Sequence, residues 1–153
     1  MEQGQAKRGY ILIAEDEPTN QYVFRAILES GGFEVTIVDN GRAALEEGLR
    51  RRPDLVLLDM MMPVMDGYET ARRMIADGSF DGVPILALTA KAMKGDAEKT
   101  FEAGCDDYMS KPVRRRELLD SVAAWLRKPP ELWMPARLDR RTREDSARAR
   151  RAA

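Results

Sequence analysis

Four places along this chain carry residues that could do chemistry together: the paired acids Glu15 and Asp16, the acid Asp59, the hydroxyl of Thr89 and the ammonium of Lys111. Glu15 follows Tyr10-Ile11-Leu12-Ile13-Ala14, Asp59 follows Leu55-Val56-Leu57-Leu58, and Thr89 follows Pro84-Ile85-Leu86-Ala87-Leu88, so each stands where a strand-sized apolar run ends. Taken alone, a strand-end Asp such as Asp59 is as readily a turn or helix-capping residue. Its companions change the reading. Gathered at one cavity, three carboxylates repel: unit charges about 4 Å apart differ by roughly 4 kcal/mol at an effective dielectric near 20. Mg²⁺ is the natural counter-charge, because it takes hard oxygen ligands and prefers one or two carboxylates together with phosphate oxygens. Lys111 adds a second cation, and Thr89 a hydroxyl able to donate to an anionic oxygen. A carboxylate nucleophile, a Mg²⁺ site, a lysine and a hydroxyl are what phosphoryl transfer to an acid requires, which makes Asp59 the expected acceptor.

Positioning such a set takes a particular architecture. Strands are expected at 10–14, 34–38, 55–59, 84–88 and 107–110, separated by helices that start at Pro18 and near residues 41, 67, 94 and 114. The expected inward faces are Val23, Ala26 and Ile27 in the first helix, and Ala44, Leu45 and Leu49 in the second. Ala71, Met74 and Ile75 serve the third, and Leu118, Leu119, Val122, Trp125 and Leu126 the fifth. Five strand-then-helix repeats joined by short loops specify an α/β three-layer sandwich, a parallel sheet with helices on both faces. Right-handed crossovers then favour the flavodoxin-like order 2-1-3-4-5. In that order the first and third strands are neighbours, so Glu15, Asp16 and Asp59 leave adjacent strands at the edge where such sheets bind ligands.

Composition bounds the alternatives. A chain of 153 residues with 44% hydrophobic and 33% charged residues suits one domain plus a tail. No apolar stretch is long enough for a signal peptide or a membrane span, and a cytoplasmic location is expected. The single cysteine, Cys105, reads as core, and the absence of histidine removes catalytic triads and imidazole ligation. Met60, Met61, Met62 and Met65 read as packing residues rather than soft-metal ligands. Net charge is −1, but residues 137–153 hold seven arginines against three acids, so the body is acidic and argues against nucleic acid as its ligand. Residues 1–9 are expected to be a disordered lead. Lys128-Pro129-Pro130 must stop the last helix, and Leu132-Trp133-Met134 is apolar enough to dock on the domain or on a partner. Disorder is the default for 137–153, with a helix or contact to an acidic partner as alternatives.

The residues Glu15-Asp16, Asp59 with Met62-Pro63 and Asp66-Gly67, Leu88-Thr89-Ala90 and Lys111-Pro112 jointly resemble the receiver domain of two-component response regulators. The likeness runs from about Tyr10 to Leu126 and is most like a single-domain response regulator or the receiver of a hybrid histidine kinase. It implies a lead at 1–9, a receiver at 10–128 and an Arg-rich tail at 129–153 with no output domain. It further implies Asp59 as phospho-acceptor, Asp16 as a direct Mg²⁺ ligand, Glu15 acting mostly through water, and the Met61 backbone carbonyl completing the protein's share of the shell, with Mn²⁺ as a substitute ion. Thr89 and Lys111 would grip the phosphoryl oxygens, Tyr108 would be the switch aromatic, and the Lys111-Pro112 bond a cis candidate. Lys91 and Met61 fall where receivers tune access of the hydrolytic water. Implied partners are a histidine kinase or histidine phosphotransfer protein and a downstream protein on the face of the fourth helix, fifth strand and fifth helix, with no nucleic acid or membrane, as a monomer or phosphorylation-linked dimer. A detached piece of a hybrid kinase is the alternative. An aspartyl-phosphate phosphatase or mutase would want a second acid two residues after its nucleophile, where this chain has Met61, and a flavodoxin-type carrier would meet Glu15-Asp16-Glu17 as a repulsive phosphate loop.

Overall fold

The computed structural model describes residues 8–76, 78–90 and 95–152. Five strands, β1 (Tyr10–Ala14), β2 (Glu34–Val38), β3 (Leu55–Asp59), β4 (Ile85–Thr89) and β5 (Asp107–Ser110), form one sheet in the order β2-β1-β3-β4-β5. All four pairings are parallel, with Ala14 beside Leu58 and Thr89 beside Ser110. The helices are α1 (Pro18–Ser30), α2 (Gly41–Arg50), α3 (Gly67–Ala76), α4 (Asp96–Ala103), α5 (Arg115–Arg127) and α6 (Pro130–Ala152). The first five and the flavodoxin-like order follow the sequence reading.

Because side chains alternate along a strand, the sheet feeds two cores. Ile11, Ile13, Leu55, Leu57, Leu86 and Leu88 pack with α1 and α5. Leu12, Val56, Leu58, Ile85 and Ala87 pack with α2, α3 and α4. The central strands β1, β3 and β4 are buried throughout, which is why they read as continuous apolar runs.

Two helix faces depart from expectation. In α1 the inward residues are Phe24, Ile27 and Leu28, whereas Val23 and Ala26 face solvent. Two overlapping stripes compete there, and the one holding the larger Phe24 and Leu28 buries more apolar area. In α2 the inward residues are Ala44 and Gly48, and Leu49 is exposed. A Cβ at position 48 would sit 2.6 Å from the Phe80 ring, so that ring presses on bare backbone and turns Leu49 outward.

The ends of the chain also differ. Residues 1–7 of the expected lead lie outside the described residues, but Arg8 and Gly9 extend the pairing, with the Arg8 amide donating to Gly32 O at 2.8 Å and the Glu34 amide to Gly9 O at 2.9 Å. The tail, for which disorder was the default, is α6, a 23-residue helix packed against α3 and α4. Trp133 stacks edge-on against Trp125 with ring centroids 5.7 Å apart. Arg137 is fully buried, donating to Phe80 O at 2.7 Å, to Val83 O at 2.6 Å and to the Asp106 carboxylate. The acidic partner of the basic tail is this domain itself.

Candidate functional site

Three strand ends and one loop build the site. β1 delivers Glu15 and Asp16, with the Glu15 amide donating to Val38 O at 2.9 Å. Glu17 caps α1 by accepting from the Asn20 amide at 2.8 Å, and Pro18 starts the helix, so the chain turns within three residues of the strand. Asp59 is the last residue of β3 and is 4% exposed. Beneath it the chain must fold back on itself: the Gly67 amide donates to Met60 O at 3.1 Å, and a Cβ at position 67 would lie 2.4 Å from Asp59 O. That close approach admits only glycine, which accounts for Asp66-Gly67 in the motif. Between them Val64 takes φ 69°, a left-handed conformation unusual for a β-branched residue.

One oxygen from each of Glu15, Asp16 and Asp59 lies within 4.8 Å of the others. Asp59 Oδ1 accepts from the Met61 amide at 3.1 Å, and Lys111 Nζ lies 3.2 Å from Asp59 Oδ2 and 2.9 Å from Glu15 Oε1. The ammonium is at ion-pair distance from Glu15 Oε1 without the alignment of a hydrogen bond, so that wholly buried oxygen has no aligned donor. Three carboxylates answered by a single ammonium fit a Mg²⁺ ion, which takes oxygen ligands. Burial raises the Asp59 carboxyl above the ordinary carboxylate range; the Met61 amide opposes this, the Glu15 charge adds to it, and Lys111 works against it. Burial acts to lower the Lys111 ammonium, yet contacts with Glu15 and Asp59 hold it above its usual value.

The remaining expected residues take distinct places. Thr89 is buried at the end of β4, but its hydroxyl donates to Met109 O at 3.4 Å, away from the acids. The Lys111-Pro112 bond is cis. Tyr108 is half-buried on β5, edge-on to Phe101 of α4 with centroids 6.1 Å apart. Met61 is 68% exposed at the mouth. Lys91 lies outside the described residues. Gln21 was not among the candidates: its side-chain amide donates to Glu15 O at 2.6 Å and fixes the turn after β1. Its place one turn into α1, facing back toward the strand, was the available signal.

Sequence and fold both have close counterparts. The response regulator receiver domain family matches residues 11–123. The polar-differentiation response regulator DivK of Brucella anthropi is 34% identical over 116 residues, which make up 76% of this chain and 94% of DivK. The receiver domain of sensor histidine kinase PA1611 from Pseudomonas aeruginosa, solved with a magnesium ion coordinated in its active-site cleft, is 42% identical, with TM-score 0.74 over 78% of this chain and 98% of that one. The signal receiver domain of a histidine kinase from Syntrophus aciditrophicus is 36% identical, with TM-score 0.72 over 77% of this chain and 89% of the other. An acid-lined strand edge on this sheet order, matched across three quarters of the sequence, places the chain in the response regulator receiver-domain family of signalling phosphoacceptors.

Proposed function

We propose that this protein is a Mg²⁺-dependent phospho-acceptor that takes its phosphoryl group from a histidine kinase or histidine phosphotransfer protein onto Asp59. One observation carries the reading: Lys111 Nζ sits between Glu15 and Asp59 while Glu15 Oε1 stays without an aligned donor, an arrangement short of positive charge until a cation and a phosphoryl group arrive. An oxygen of the Asp59 carboxylate bonds to phosphorus as the phosphorus–nitrogen bond of the phosphohistidine breaks, and that electron pair returns to the imidazole. Asp16 and Asp59, with the Met61 carbonyl and with Glu15 through water, would hold Mg²⁺, or Mn²⁺ in its place. The bound ion supplies neutralisation of charge on the transferred oxygens. Lys111 needs little movement to meet a phosphoryl oxygen, because it already lies 3.2 Å from Asp59. The Thr89 hydroxyl must leave Met109 O to reach one, and Tyr108 turns into the space it leaves.

The signalling face is α4–β5–α5, where a shallow groove of about 560 Å³ is lined by Tyr108, Ser110, Lys111 and Glu117 among others. It binds a downstream protein, and the chain acts in the cytoplasm as a monomer or a phosphorylation-linked dimer, without turning over a substrate of its own. The receiver at residues 10–128 is the working unit, and α6 is an accessory rather than an output domain. A second reading, the receiver piece of a hybrid kinase, is favoured by the 42% identity to a receiver that belongs to a sensor histidine kinase.

Incubation with acetyl phosphate and Mg²⁺ followed by intact mass tests the reading. A single hydroxylamine-labile adduct is expected, absent in Asp59→Asn and after chelation. An adduct that persists in Asp59→Asn refutes the assignment.

A further inference from the structure

α6 is held very unevenly along its length. Its first half is anchored by Trp133 on Trp125, by the Gly82 amide donating to Met134 Sδ at 3.4 Å, by buried Arg137, and by Arg140 Nη2 donating to Asp106 Oδ1 at 2.9 Å. Beyond Leu138 the apolar residues are alanines alone. There Arg141 donates to Ile75 O and pairs with Asp81, and Glu144 lines one cleft of about 370 Å³ with Arg72 of α3 and Lys99 and Glu102 of α4. The other ion pairs of this half, Arg143 with Asp139, Arg148 with Glu144 and Arg151 with Glu144, lie within the helix, and Arg148 and Arg151 also line a cleft of about 480 Å³ with Glu69, Arg72 and Arg73 of α3. A segment with few buried apolar contacts opens at low free-energy cost, so the distal half can release while the proximal half stays.

The same helix holds one part of the switch region and adjoins the other. Arg137 and Arg140 hold Asp106, two residues before Tyr108, and Glu144 sits beside Glu102, the neighbour of Phe101, whose ring contacts Tyr108. The state seen here has the Thr89 hydroxyl donating to Met109 O at 3.4 Å. Contacts that depend on one of two states favour that state.

We propose that residues 141–152 of α6 form a latch that seats on α3 and α4 in this arrangement and lets go when Asp59 is phosphorylated. Latch docking and phosphorylation then oppose one another, and by linkage each weakens the other by the same factor. The inference rests on the reading of Asp59 as the acceptor.

The test uses the full chain with Mg²⁺ and beryllofluoride as the phosphoryl mimic. Hydrogen exchange at amides 142–152 is expected to speed up about fivefold or more on adding the mimic, while 130–138 stays protected. In Asp59→Asn neither the latch nor the Tyr108 region responds. A response at Tyr108 with unchanged exchange in 142–152 overturns the latch and leaves the acceptor standing; silence at both overturns both. Independently, Glu144→Lys, which puts a third cation between Arg72 and Lys99, is expected to tighten beryllofluoride binding about fivefold or more. Unaltered affinity in that variant overturns the latch.

Discussion

Two buried carboxylates at opposite edges of one sheet show how the same group can be put to different use. Asp106, just before β5, is saturated: Oδ2 accepts from the Ile85 amide at 2.8 Å and from Arg137, and Oδ1 accepts from Arg140 at 2.9 Å. Asp59, at the end of β3, shares one ammonium with Glu15, and an oxygen of Glu15 has no aligned donor. Burial pushes both carboxyls up. At Asp106 two arginines answer that cost, whereas at Asp59 the balance is left open. A closed network is architecture; an open one at the carboxyl edge of a parallel sheet is a candidate site.

The largest effect is expected where the closed network is broken. Arg137→Ala leaves Asp106 buried with less positive charge and removes donors from Phe80 O and Val83 O, so chemical denaturation is expected to show a loss of about 3–5 kcal/mol. A loss below about 1 kcal/mol would mean that α6 is not part of the fold. Cys105 reports on the same edge. It is wholly buried, and burial drives its thiol well above the ordinary range, so a disulfide reagent should label it in the native protein only after opening. Faster labelling in Arg137→Ala is the expected companion result.

Opening the other network should do the reverse. Asp59→Asn removes one of three crowded acids and is expected to add about 1 kcal/mol at neutral pH without Mg²⁺. The sign follows from its raised carboxyl. Between the ordinary carboxylate value and the higher folded one, the folded state binds more protons than the unfolded chain, so the wild type loses stability as pH rises through that window. The stability gap between Asp59→Asn and wild type should therefore widen with pH across it and flatten above. A gap that narrows instead would mean Lys111 already compensates Asp59. Saturating Mg²⁺ should stabilise the wild type by about 1–3 kcal/mol and Asp16→Asn markedly less, measured as a shift in melting temperature.

The smallest effect is expected at a pair that belongs to neither network. Arg116 and Asp120 lie 3.7 Å apart at 93% and 75% side-chain exposure, and Arg116→Ala should change stability by less than about 0.5 kcal/mol. A larger value would show that exposure is a poor guide to which charges matter here.

What the amino-acid order determined by itself was the sheet and the gathering of Glu15, Asp16, Asp59 and Lys111 at one of its edges, because both are local patterns repeated along the chain. Apolar runs of strand length end on Asp59, Thr89 or the Glu15-Asp16 pair, short loops force parallel order, and Gly67 is required by the turn under Asp59. What the tertiary structure alone decided were choices among near-equal local options. Val23 and Phe24 offered α1 rival stripes, and α2 chose Gly48 over Leu49 because Phe80, 32 residues away, needed bare backbone. The Arg-rich end had no local reason to dock, since its best partners, Asp106 and Asp81, are long-range acids whose value depends on burial. Burial is a property of the assembled fold, and charge strength inside a protein follows from it.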